Sequence, residues 1–107
     1  MQISVIKEEN KNEQRVSSTP DAIKLLERLG AEVLVEKGAG ELSGYGDEMY
    51  ISSGAKIVDH STCFQSDIFL CVRMPSQDSI NQMKKGSILI GILNPYENKN
   101  YFSVLNN

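Results

Sequence analysis

The sequence predicts an α/β protein, an open, mostly parallel sheet covered by helices, and three observations predict it. Short β-branched runs, Ile3-Ser4-Val5-Ile6 and Val33-Leu34-Val35, flank a segment whose apolar residues recur at helical spacing. Two later runs, 68–72 and 87–93, are almost continuously hydrophobic, as strands buried on both faces are. Hydroxyl or carboxylate residues stand where helices should start, and glycines stand where they should stop.

Taken in order, the first strand covers 3–6, and the polar, aperiodic stretch 7–18 after it reads as a long loop. Thr19 can cap a helix, Pro20 suits its first turn where no N–H is needed, and Asp21 complements the positive end of the helix dipole. Ala22, Ile23, Leu25, Leu26 and Leu29 give that helix an apolar stripe, and Gly30 ends it. The strand at 33–35 follows. A strand, a crossover helix and a strand in one sheet are almost always parallel and right-handed, so a βαβ unit is expected.

Residues 38–46 form a glycine-rich loop, and Asp47 is expected to cap a short helix through Met49, Tyr50 and Ser53 that Gly54 terminates. A brief strand follows at 55–58. The run 68–72 is the expected central strand, closed by Pro75. Ser76 then caps a helix carrying Ile80 and Met83, which Lys84-Lys85-Gly86 stops before the strand at 87–93. The order is β-α-β-α-β-β-α-β, and the tail 96–107 has spacings compatible with a weak helix.

At 107 residues the chain has room for one domain with one core, since domains commonly run ~100–150 residues. Its net charge of −3 arises from acidic and basic residues spread along the whole length, with no basic stripe. Nucleic acid is therefore excluded as the expected partner. The longest apolar run, 88–93, falls far short of the ~20 residues of a membrane-spanning helix, so no direct membrane insertion is expected. The first residues show no secretory pattern, which makes a reducing, cytoplasmic setting the default. Cys63 and Cys71 have neither metal-knuckle nor redox-motif spacing and read as free thiols, Cys71 within a strand.

Gly38-Ala39-Gly40 after a strand invites a dinucleotide reading, with Asp59 about where a ribose-binding acid would stand. The third glycine slot holds Ser43, and Tyr45-Gly46-Asp47 does not open a helix that could hold a pyrophosphate. A loop whose glycines serve packing and positive φ is the better reading.

Arg15 follows the first strand, at the edge where open α/β sheets place ligand crevices, and its guanidinium could clamp a carboxylate. An ion pair with Glu13 or Glu8 that only pins the loop is the alternative, and Lys7 has the same two readings. Arg73 emerges at the end of the strand 68–72 and could face the same crevice. His60, the single histidine, lies in a polar stretch with no second histidine and no nucleophile to serve, so a solvated loop residue is expected and no metal site.

Lys7-Glu8, Asn12-Glu13-Gln14-Arg15-Val16, Thr19-Pro20, Glu36-Lys37-Gly38-Ala39-Gly40, Ser43-Gly44-Tyr45, Asp47 and Gly54-Ala55 occur in one ordered series. The series resembles the N-terminal region of the alanine dehydrogenase and nicotinamide nucleotide transhydrogenase family. The resemblance covers nearly the whole chain and is strongest over 7–55. It implies a single N-terminal lobe over 1–107, Rossmann-like or flavodoxin-like but without the dinucleotide fingerprint, beside a second lobe that holds the coenzyme.

In that family an arginine in the segment matching 12–19 binds a substrate carboxylate, and Arg15 stands there. A substrate-binding lysine corresponds to Arg73, which keeps charge but not amine chemistry. Asn94 stands where amino-acid dehydrogenases have a proton-cycling histidine, a task an amide cannot perform. The segment 86–96 is more similar to the proton-translocating NAD(P) transhydrogenase α subunit, whose hydride passes directly between nicotinamides. The resemblance thus implies NAD(H) in the complete protein and no cofactor for this chain alone. It also implies a missing dinucleotide-binding lobe, membrane and NADP-binding partners, a homodimer, and a place peripheral to the cytoplasmic membrane. The chain is then expected to be a fragment or one part of a split protein, inactive by itself. An amino-acid dehydrogenase lobe and a non-catalytic assembly module are the alternatives.

Overall fold

A computed structural model describes residues 1–92 and 100–104. Among them, strands β1 (Gln2–Val5), β2 (Glu32–Glu36), β3 (Lys56–Val58), β4 (Ile68–Cys71), β5 (Ile88–Ile92) and β6 (Asn100–Val104) join in one sheet. Their order is β3-β2-β1-β4-β5-β6. The first five run parallel, and β6 pairs antiparallel with β5. The expected central strand is therefore where the sequence put it, with β1 as its neighbour at the sheet's midline. The chain winds toward β3 on one side of that midline and toward β5 on the other, which makes the carboxyl ends of β1 and β4 a topological switch point.

Side-chain alternation sorts the core into two layers. Val5, Val33 and Val35 pack on one face with Ile23 of helix α1 (Pro20–Arg28) and Tyr50 of helix α2 (Asp47–Ser52). Phe69, Cys71 and Leu89 pack on the other with Cys63 and Phe64 from α3 (His60–Cys63) and its end, and with Met83 after α4 (Gln77–Gln82). Each of these aliphatic and aromatic side chains, taken fully out of water, contributes about 1.5–3 kcal/mol. Both cysteines are buried free thiols, and burial pushes each up to about 12, so neither is a ready thiolate.

Local chemistry starts the helices much as expected. Thr19 Oγ1 accepts from Ala22 N at 3.3 Å, and Ser76 Oγ accepts from Ser79 N at 3.2 Å. Three expectations need correction. Asp47 does not cap α2: Gly46 is the cap, and Asp47 Oδ1 instead accepts from Gly38 N at 2.9 Å, bracing the glycine loop. The polar stretch at 59–62 is not loop but the start of α3, capped by Asp59 accepting from Thr62 N at 2.9 Å. A helix of four residues is too short to show a period, and Asp59 was weighed only as a ribose-binding acid. Residues 100–104 form a strand instead of part of a weak helix, because pairing with β5 satisfies their backbone groups better than propensity predicts. The rest of the expected tail helix lies outside the described residues.

Candidate functional site

The site is built where β1 ends. From there the chain runs along the carboxyl edge of the sheet, and three of its carboxylates reach across to the segment after β4. Glu8 accepts from the backbone N–H groups of Val72 at 2.8 Å and Arg73 at 2.9 Å, one on each oxygen. Glu9 accepts from Ser76 N at 2.9 Å and from the Ser79 hydroxyl. Glu13, whose side chain is 4% exposed, takes the Nε of Arg15 at 2.8 Å on one oxygen and its Nη2 at 2.9 Å on the other. The Nε of Arg73 reaches the same carboxylate at 2.7 Å.

These surroundings set the protonation of each acid. The Arg15 guanidinium, then Arg73, overcome burial and hold Glu13 down at about 2. For Glu8, burial is the largest influence and raises it, although the two backbone N–H groups oppose this. For Glu9, burial pulls upward, and the bonds from Ser79 and Ser76 outweigh it and leave it lowered. Glu13 is thus a charged hub at ordinary pH, whereas Glu8 is the acid of the three in which burial prevails.

Arg15 and Arg73, far apart in sequence, are therefore brought together on one carboxylate. The ion pair of Arg15 with Glu13 is present, and the Arg15 side chain is 48% exposed, with that of Arg73 at 35%. Beside them opens a cleft of about 180 Å³ lined by Lys7, Glu8, Glu13, Arg15, Gly38 and Leu42. Leu42 is exposed at this cleft, and the Lys7 ammonium lies over the open side of Gly38. The arrangement sets the cations Lys7 and Arg15 among the carboxylates Glu8, Glu13 and Glu41, with Leu42 as an apolar side.

His60 is not part of this cluster. Its Nδ1 lies 3.0 Å from Glu36 Oε2, its ring packs 4.2 Å from that of Phe64, and Glu36 foremost raises it above the usual imidazole range. The reading of His60 as a solvated loop residue is thereby corrected: it is half-exposed but paired, tying α3 to the end of β2. Asn94 lies outside the described residues. Glu13 is the carboxylate on which the two arginines meet, and the sequence reading weighed it only as an ion-pair partner of Arg15. Its signal was the cluster of Glu8, Glu9 and Glu13 in a loop leaving a strand, more carboxylates than one arginine needs.

The glycine loop does not fit a dinucleotide. A Cβ at Gly40 would stand 2.7 Å from the Tyr50 ring and 2.8 Å from Tyr45 O, so the space beside it is already filled by protein. Gly38, at φ +80°, turns the chain into a 3-10 turn at Glu41–Ser43 whose first residue is acidic, which repels phosphate. Among the described residues no group of three His, Cys, Asp or Glu side chains is arranged to hold a metal, and no helix is long and apolar enough to cross a membrane.

A family model described as alanine dehydrogenase/PNT, N-terminal domain, matches residues 4–107. Alanine dehydrogenase 1 of Staphylococcus aureus is 38% identical over 93 residues, which are 87% of this chain and 25% of that protein. A solved transhydrogenase from Sinorhizobium meliloti superposes with a TM-score of 0.84 at 35% identity, over 92% of this chain and 30% of its own. A solved L-alanine dehydrogenase superposes with a TM-score of 0.82 at 27% identity, over 92% of this chain and 28% of its own. The chain spans about a quarter of the curated relatives it matches.

Proposed function

This chain belongs to the alanine dehydrogenase/PNT N-terminal domain family, and from that premise we propose that it is the first lobe of a hydride-transferring oxidoreductase of the proton-translocating NAD(P) transhydrogenase type. NAD(H) would sit on a second, dinucleotide-binding lobe, with further membrane and NADP-binding parts and a second copy as partners on the cytoplasmic side. Arg15 and Arg73 would line the cleft between the lobes. The observation that supports this reading is the pairing of an open switch-point edge, where Arg15 and Arg73 meet on Glu13, with a glycine loop whose space Tyr50 fills. On this reading the edge is left for a ligand held by the other lobe.

Asn94 supports the transhydrogenase form, because direct hydride passage between two nicotinamides needs no proton-cycling side chain there. The second reading, an amino-acid dehydrogenase lobe, is favoured by the two guanidinium edges, which suit a substrate carboxylate. One experiment separates them. The chain is mixed with a Sinorhizobium meliloti transhydrogenase that lacks its own first lobe, and NADH-driven reduction of an NADP analogue is followed beside alanine-driven reduction of NAD. Recovery of the first reaction alone is expected, and alanine-driven NADH formation would overturn the transhydrogenase form. In calorimetry the chain by itself should take up no NADH. Micromolar binding would contradict the placing of the coenzyme on another lobe.

A further inference from the structure

We infer that Glu13 is the positioning residue of the cleft: its buried carboxylate locks Arg15 and Arg73 into one rigid double-guanidinium edge that receives a small carboxylate. The inference rests on the reading that this edge of the sheet faces a ligand. It goes beyond that reading by assigning the geometry of the edge to a residue behind it.

Three features carry the argument. The Glu13 side chain is 4% exposed while the two arginine side chains it holds are 48% and 35% exposed, so water reaches the arginines far more than the acid that binds them. Both carboxylate oxygens are used: Oε1 takes Arg73 Nε at 2.7 Å and Arg15 Nη2 at 2.9 Å, and Oε2 takes Arg15 Nε at 2.8 Å and Arg15 N at 2.9 Å. The backbone of Arg73 is held separately, its N–H donating to Glu8 Oε1 at 2.9 Å. The β1 loop thereby fixes both the main chain and the side chain of the residue that ends the β4 segment. A long guanidinium loses much rotamer freedom on binding a ligand. One already fixed by a buried acid has lost that freedom before the ligand arrives.

Simple electrostatics and positioning predict opposite signs. Removing the charge of Glu13 leaves the edge more positive, so Coulomb attraction alone would tighten the binding of any anion. If Glu13 acts by orienting the arginines, its removal weakens binding even though net positive charge rises.

The test titrates the full chain with sodium oxalate at constant ionic strength, following the Nε–Hε resonances of Arg15 and Arg73 by NMR, with chloride as the control anion. Both arginine signals are expected to shift on one isotherm in the wild-type chain. Glu13→Gln, with β1 and β4 backbone resonances preserved, should weaken oxalate binding by roughly tenfold or more, the scale on which outer groups that orient metal ligands act. Equal or tighter binding in Glu13→Gln overturns the positioning role and leaves the arginine edge standing as a ligand site. Absence of an oxalate-dependent shift in the wild-type chain, or an equal shift with chloride, overturns the ligand reading of this edge and the inference with it. Should Glu13→Gln fail to fold, Glu13→Asp and Arg73→Lys replace it. The first is too short to span both guanidiniums and the second keeps charge without Nε, so wild-type affinity in either overturns the proposal.

Discussion

The carboxyl edge of the sheet has two ends built on opposite principles. At the β1 and β4 end, Glu8, Glu9 and Glu13 hold the chain by charged hydrogen bonds, and the Arg15 and Arg73 side chains stay partly in water. At the β2 end, the ring of Tyr50 packs against Gly40 with no room for a Cβ, and its hydroxyl donates to Ser18 O at 2.8 Å. Burial holds that phenol up at about 12, so it remains neutral at any ordinary pH. The difference teaches where a ligand can enter: packing fills the space beside Gly40, whereas directional bonds around Glu13 leave polar groups facing an opening.

The largest expected effect breaks the packed end. Tyr50→Ala should cost about 3–5 kcal/mol, read as a shift of the urea midpoint, because it removes a fully buried ring and leaves a cavity under the glycine loop. A loss under about 1 kcal/mol would mean that the loop stands without the ring, and the contrast between the two ends would disappear.

Next in size is the acid limb of stability at the polar end. Glu13 is depressed to about 2 from an unfolded value near ~4.3. Its stabilisation is therefore complete above the unfolded value and is lost as pH falls through the folded one. Glu8, raised by burial, acts in the opposite sense: its ionised form is the one that folding penalises, so acid relieves it. Urea unfolding between about pH 5 and 2 should show a steep loss in the wild-type chain and a shallower one in Glu13→Gln. Identical slopes would detach Glu13 from the stability of this end.

The smallest effect sharpens the comparison from the alkaline side. His60 is raised mainly by Glu36, so the stabilisation from their pair is present below the unfolded imidazole value near ~6.5 and is lost as pH rises through the raised folded one. The pair is half in solvent, so His60→Gln should remove less than about 1 kcal/mol, and only on the acid side of that transition. An equal loss at all pH values would assign the effect to packing on Phe64 instead of charge.

Much of this was legible along the chain because caps, stops and alternation act within a few residues. Thr19 and Ser76 begin their helices as read, and the run around Phe69 is central as read. The failures are short or non-local. The helix α3 has no room for a period, Asp47 was diverted from its cap by Gly38 N, and the strand at 100–104 depends on β5 for its backbone bonds.

For the candidate site, the residue types and their position after strands were visible, and so was the choice for Arg15 between ligand and Glu13. What sequence could not show was that Arg73 shares the same carboxylate, or that Glu8 reaches its main chain.

By itself the sequence determined the alternation of strands and helices, the breaks between them and the family resemblance, since each is set by neighbours in a turn, a strand or a short motif. Only the tertiary structure decided that β1 lies beside β4, and hence that the acids of one loop meet the arginine of the other. A charged hydrogen bond acts over about 3 Å, and strand order, which no local pattern encodes, chooses which distant residues come that close.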